Sequence, residues 1–179
     1  MGSVVLDITT RGLEEAHQNV KNIKNLITAG TARQLELWYN SECKNTMLSI
    51  IDSGEGMAAN KEPYATWKRN RYGIDHPLGR LTGALYFSIE SAQPTIKETR
   101  GKEVRLAVIF DSPHYLIYVK DGRTNQVERD FILLAREQTM ESLRKRISGM
   151  FDNLDFTMPY PQLMNAILSY NGGGLSRVR

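Results

Sequence analysis

Apolar positions along this chain fall first at helical and then at strand spacing. Leu13, Ala16, Val20, Ile23 and Ile27 recur at three- and four-residue steps and predict an amphipathic helix. Thr9 and Thr10 stand before it as N-cap residues, and Glu14 and Glu15 lie early, where the helix dipole favours acids. Gly30 is expected to end or kink that helix, and Thr31 to cap a second one with the stripe Leu35, Trp38, Cys43, Met47, Ile50 and Ile51. Ser53-Gly54-Glu55-Gly56 stops the run. Pro63 opens a short predicted helix over Tyr64 to Arg71. Asp75-His76-Pro77-Leu78-Gly79 reads as loop, because a residue before proline avoids the helical region. Leu81, Leu85 and Ile89 then share one helical face, with Thr82 and Ser88 expected on other faces.

Strand character follows. Thr95 to Thr99 and Glu103 to Asp111 flank Arg100-Gly101-Lys102 and predict a β-hairpin over about 95–111. Val104, Leu106, Val108 and Phe110 alternate with Arg105, Ala107 and Ile109, so the second strand presents one apolar face. From Pro113 to Gly122 a third strand and a short helix both fit; proline at a first helical position and a glycine stop favour the helix. Ala135 to Phe151 is the longest charged helix, with Met140, Leu143, Ile147, Met150 and Phe151 as its apolar positions. Its Arg144-Lys145-Arg146 complements the dipole towards the C-terminal half. Past Asn153 the character changes: Pro159 and Pro161 bracket a tyrosine, Gln162 to Tyr170 suits a small helix, and Gly172-Gly173-Gly174 precedes Arg177 and Arg179. The expected fold class is α+β: N-terminal helices over 10–53 and a small antiparallel sheet packed with a long C-terminal helix. Residues 1–153 are expected to form one domain and 154–179 an extension or arm that orders against something else.

Composition narrows the function classes. At 179 residues, 41% hydrophobic and 24% charged, the chain has enough material for one domain with a real core. No apolar run approaches a membrane span, and the N-terminus has neither the basic flank nor the apolar region of a signal peptide. Cys43 is the single cysteine, which excludes an internal disulfide and fits a reducing compartment. The net charge of +3 is uneven: residues 60–80 hold five basic and two acidic side chains, whereas 1–59 hold five and seven.

Candidate chemistry is sparse. His17, His76 and His114 are far apart and share no zinc-ligand spacing with a cysteine. Asp75-His76 and Ser112-x-His114 have residue types found in catalytic triads, but no nucleophile elbow accompanies them. The triple glycine has neither the strand before it nor the Gly-Lys-Ser/Thr after it that a phosphate loop needs. No catalytic residue, metal site or cofactor is assigned, and no enzymatic activity is expected. Trp67-Lys68-Arg69-Asn70-Arg71-Tyr72 interleaves aromatic and basic residues and offers base stacking with phosphate neutralisation. A core-anchoring Trp67 beneath a solvated basic face explains that segment equally well.

The order of the parts carries one further signal. An aromatic-basic segment is followed by Leu81-Thr82-Gly83-Ala84-Leu85-Tyr86-Phe87-Ser88-Ile89, the hairpin, Tyr115-x-x-Tyr118-Val119-x-Asp121-Gly122, Arg129-Asp130-Phe131-Ile132 and a final helix. This series, over about residues 10–153, resembles the tail-completion or virion-morphogenesis proteins of tailed bacteriophages, the head–tail joining family. It departs from that pattern at Asp130, where the family commonly has proline, and in the tail after Asp155. The resemblance implies a structural virion protein of the phage neck, assembled in the host cytoplasm. It implies a homo-oligomeric ring of six subunits around the DNA channel, with other neck, connector and tail-tube proteins as partners and no membrane. The residues implied for fold and interface are Trp67, Arg80, Leu81, Thr82, Gly83, Leu85, Ser88, Ile89, Tyr115, Tyr118, Gly122 and Phe131. The N-terminal arm and the segment from Asp155 are implied to reach neighbouring subunits. Lys68, Arg69 and Arg71 are candidates for contact with passing DNA. The alternative is a nucleic-acid-binding module built on residues 67–72.

Overall fold

A computed structural model describes residues 11–73, 83–99, 103–111 and 130–171. Helix α1 (Arg11–Trp38) runs into a π-helical turn (Tyr39–Cys43) and on into α2 (Lys44–Ser53). Then come α3 (Tyr64–Tyr72), α4 (Ala84–Ser91), strands β1 (Pro94–Thr99) and β2 (Glu103–Val108), α5 (Phe131–Asp152) and α6 (Tyr160–Ser169). The fold is α+β, mostly helical among the described residues, with a two-stranded antiparallel sheet and a long C-terminal helix.

The first two predicted helices run on without a break from Arg11 to Ser53, and Gly30 does not end the first. Glycine serves there as a point of close approach. A Cβ on Gly30 would clash with Ile167 Cγ2 and lie 2.9 Å from Met150 Sδ. The buried line of α1 is Leu26, Gly30, Gln34 and Trp38, at strict four-residue steps, and not the predicted stripe through Ala16 and Val20. Beyond Trp38 the next buried stripe position is Cys43, five residues on, and the π turn absorbs the extra residue. The Lys44 N–H donates to the Tyr39 carbonyl, so Met47, Ile50 and Ile51 stay on the core side. Gly54, with φ +70°, caps α2, its N–H donating to the Ile50 carbonyl at 2.8 Å.

Helix α5 packs antiparallel to this helical run. Trp38 Nε1 donates to the Thr139 carbonyl at 3.0 Å, while Gly30 lies beside Met150. The helix starts at Phe131, four residues earlier than the sequence pattern placed it, because the Asp130 carboxylate accepts from the Leu133 N–H at 2.9 Å. A proline at that position would supply no such acceptor. Phe131, Ala135, Thr139, Leu143 and Met150 are its buried line, whereas Phe151 is exposed.

Among the described residues two clusters form the core. The larger joins Trp38, Tyr39, Cys43, Met47, Ile50 and Ile51 to Leu85 and Ile89 of α4 and to Phe131, Ala135 and Leu143 of α5. The hairpin lies against it through Leu106, Val108 and Phe110, with the register Thr99↔Glu103 and Pro94↔Val108. The predicted alternation holds, since Ile109 is 77% exposed while Phe110 is half-buried. β2 ends at Val108, short of the expected Asp111.

The second cluster is Leu26, Met150, Leu163, Ile167 and Tyr170. Its helix α6 runs parallel to α1: Ile167 sits on Gly30, and the Gln34 Nε2 donates to the Tyr170 carbonyl at 2.7 Å. Residues 160–170, expected as part of an arm, therefore pack on the body of their own chain. Their alternation of proline and aromatic residues conceals an apolar face, Leu163–Ile167–Tyr170, at helical spacing.

Candidate assembly and nucleic-acid interfaces

Helix α3 inverts the expected orientation of the aromatic-basic segment. Pro63 follows a cis peptide bond after Glu62, whose carboxylate accepts from the Thr66 N–H and, at 2.7 Å, from its hydroxyl. The helix buries Ala65 and Lys68, one turn apart on a single face, and Lys68 is 0% exposed. Trp67 lies off that face and is 50% exposed, so it is no core anchor. Its ring stacks on Tyr64 with centroids 5.5 Å apart and meets Tyr72 edge-on at 5.6 Å. Arg69 and Arg71 are exposed beside these rings, so Lys68 drops out of the set of surface cations proposed for DNA contact.

In α4, Leu85, Ser88 and Ile89 are all buried. The three lie at i, i+3 and i+4, so Ser88 shares the core face and is not on the outer one. Gly83, at φ +69°, begins the helix, and its carbonyl accepts from the Phe87 N–H at 2.9 Å. Phe131 is buried at the start of α5, within reach of α4 through the main core. The structure thus brings Leu85, Ile89 and Phe131 together and leaves Trp67 outside that group. Arg80, Leu81, Thr82, Tyr115, Tyr118 and Gly122 lie outside the described residues, as do His76, His114 and the segment 113–122.

A second surface lies at one end of the helix bundle and includes the start of the segment from Asp155, which the resemblance implied would reach neighbouring subunits; the part contributed by α1 was not anticipated. Because α1 and α5 are antiparallel, the N-terminal part of α1 and the turn from α5 to α6 share that end. From Glu14 to Lys21 every residue of α1 is exposed, about 12 Å of helix standing clear of the body. Val20 is 66% exposed there. On and beside the adjoining turn Phe151 at the end of α5, Phe156 and Met158 in the turn, and Tyr160 at the start of α6 are exposed as well, Phe156 by 53%. Within that turn the Asp155 carboxylate accepts from the Thr157 N–H at 2.9 Å and from its hydroxyl. The Thr157 hydroxyl and N–H bonds hold the Asp155 carboxyl below its usual range. Lys21 and Lys24 flank the apolar stripe of α1, and Asp152 and Asp155 flank the aromatic turn. The signal was the predicted α1 stripe itself, whose outer members Ala16 and Val20 lie in solvent.

An open groove of about 600 Å³ runs beside the π turn, lined by Ser41, Glu42, Asn45, Thr46, Ser49, Gln138 and neighbours. Several of its polar groups are committed to their own helix, the Ser41 hydroxyl donating to the Leu37 carbonyl and Asn45 Nδ2 to the Ser41 carbonyl. Glu42 is engaged by Arg146, whose Nε donates to its Oε1 at 2.7 Å. Arg146 therefore ties α5 to the π turn instead of serving the α5 dipole. Among the described residues no group of His, Cys, Asp and Glu side chains could hold a metal ion, and no helix is long and apolar enough to cross a membrane. Compared with models of protein families, with curated proteins and with solved structures, the chain matches none.

Proposed function

We propose that this chain is a structural subunit that works by assembling with copies of itself, as a tail-completion or head–tail joining protein of a bacteriophage neck. The observation that carries the assembly reading is the bundle end. Two turns of α1 are exposed, Val20 among them, near the α5–α6 junction, where four large apolar side chains lie in solvent. Large apolar side chains exposed together at one end of a subunit mark a candidate contact site. The overhang of one copy, laid on the aromatic turn of the next, uses different residues on each side. That is the heterologous contact from which closed rings are built. Lys21 and Lys24 would meet Asp152 and Asp155 across the same contact, which favours this register over its reverse. The order of sequence motifs supports the neck as the place of assembly.

Mass measurement of the purified chain, alone and with connector and tail-tube proteins, tests the proposal. The expected result is a ring that is lost in Val20→Asp and in Phe156→Asp while the fold persists by circular dichroism. A chain that stays monomeric under all these conditions overturns it.

A further inference from the structure

The aromatic ridge of α3 has a separate meaning, which does not rest on the assembly reading. Tyr64, Trp67 and Tyr72 are each close to half exposed, between 46% and 50%, and their mutual ring contacts fix them as one surface. The helix has spent its inner face on Ala65 and Lys68, so the ridge is what it presents outward. Charge separates the kinds of partner. From 61 to 72 the chain holds Lys61, Lys68, Arg69 and Arg71 against Glu62 alone. Lys68 is buried, while Lys61, Arg69 and Arg71 are exposed on the same segment as the rings, and the Glu62 carboxylate accepts from the Thr66 hydroxyl. An apolar protein surface would match the rings and make no use of the exposed positive charge. A polyanion with flat aromatic faces satisfies both.

We propose that the α3 ridge binds single-stranded nucleic acid without sequence preference, with Tyr64, Trp67 and Tyr72 stacking on bases and Lys61, Arg69 and Arg71 lying along phosphates. Stacking tolerates any base, because every base has a π face, and the ridge offers no array of donors and acceptors for reading base edges. Duplex, whose bases are already stacked on one another, binds more weakly.

The two tryptophans give a direct readout. Trp38 is buried with its N–H bonded to the Thr139 carbonyl, so solvent-exposed indole emission belongs to Trp67. Titration of the full chain with a short oligothymidylate, and in parallel with oligouridylate, is expected to quench that emission. The plot of log affinity against log salt should have a slope of about −2, from three phosphates at roughly 0.7 each. With a labelled oligonucleotide followed by anisotropy, Trp67→Ala weakens binding about tenfold. Replacing Lys61 and Arg71 by Gln flattens the salt slope while leaving the aromatic surface intact, and it serves as the second variant if Trp67→Ala disturbs the fold. Absence of both quenching and anisotropy change at low salt overturns the proposal, as does binding that these variants leave unaltered. Quenching of Trp67 that follows protein concentration alone would assign the ridge to contact between copies and equally overturn it. Assembly mass measured on the same variants separates this result from the fate of the bundle-end reading.

Discussion

Arg146 on α5 holds Glu42 in the π turn, 104 residues away in sequence, with its Nε donating to the Glu42 Oε1 at 2.7 Å and its Nη2 also in contact with that oxygen. The same guanidinium reaches the Asn171 carbonyl through Nη1 at 3.4 Å, so one side chain links the N-terminal helical run, α5 and the end of the described chain. Burial works to raise the Glu42 carboxyl, but hydrogen bonds from Ser142 and Arg146 and the charge of Arg146 outweigh it and hold the group below its usual 4.5.

A lowered folded-state value means that the carboxylate's contribution to stability is complete above pH about 4.5 and is lost as pH falls through the folded value. Arg146→Met should destabilise the fold by about 1–2 kcal/mol at neutral pH, between the costs of breaking an exposed and a buried pair. It should also remove part of the acid dependence. Urea unfolding of both proteins at neutral and acid pH checks this, and equal acid losses in the two would contradict it.

Gly30→Ala should destabilise by about 1–3 kcal/mol, the usual cost of overpacking, because the new methyl meets Ile167 and Met150. Ile167→Ala alone also destabilises, by leaving a cavity. The double variant should lose less than the sum of the two, since the second change makes room for the first. A thermodynamic cycle measures the coupling, and strict additivity would show that the helices adjust without strain.

Tyr39 is buried, and its hydroxyl finds no partner among the described residues. Burial, with Cys43 adding to it, pushes the phenol up to about 12. Tyr39→Phe removes an unsatisfied polar atom and should stabilise the fold by about 1 kcal/mol. The raised value stabilises the folded state fully below pH 10, and that advantage drains away as pH rises from 10 through about 12. Alkaline unfolding curves of the wild type and Tyr39→Phe should therefore diverge above pH 10. Burial also raises the Cys43 thiol, against a weaker opposing hydrogen bond to Thr139, so the folded chain should react slowly with thiol reagents.

Asp130→Ala should cost about 1 kcal/mol by removing the N-cap of α5, and Asp130→Asn should retain most of it. Thermal melts of both variants test the assignment, and equal losses would argue that the charge, rather than the cap acceptor, matters.

Elements whose signal is local were legible in the sequence. The hairpin around Arg100-Gly101-Lys102, the helix after Pro63 and the stripe Cys43, Met47, Ile50, Ile51 needed only spacing and turn residues. Even the π turn is foreshadowed by the five-residue step from Trp38 to Cys43. What stayed hidden depends on which face meets the rest of the chain. Gly30 reads as a breaker because its tight fit against Ile167 comes from residues 137 positions later. Ser88 is polar yet takes a core position fixed by Leu85 and Ile89. Lys68, expected on a solvated face, is buried, and of the two readings open for Trp67 the core anchor fails, because so short a helix does not reveal which side of α3 is covered. For the same reason the apolar stripe through Val20 predicts a helix correctly, but its outer members Ala16 and Val20 lie in solvent within the subunit, and that exposure is the observation from which contact at the bundle end is proposed.

Native mass spectrometry of the intact chain tests the central claim most directly. The account predicts a closed assembly at a fixed multiple of the 20.3 kDa subunit, reduced to single subunits by Val20→Asp. A monomer at every concentration, or an assembly indifferent to Val20→Asp and Phe156→Asp, would contradict it.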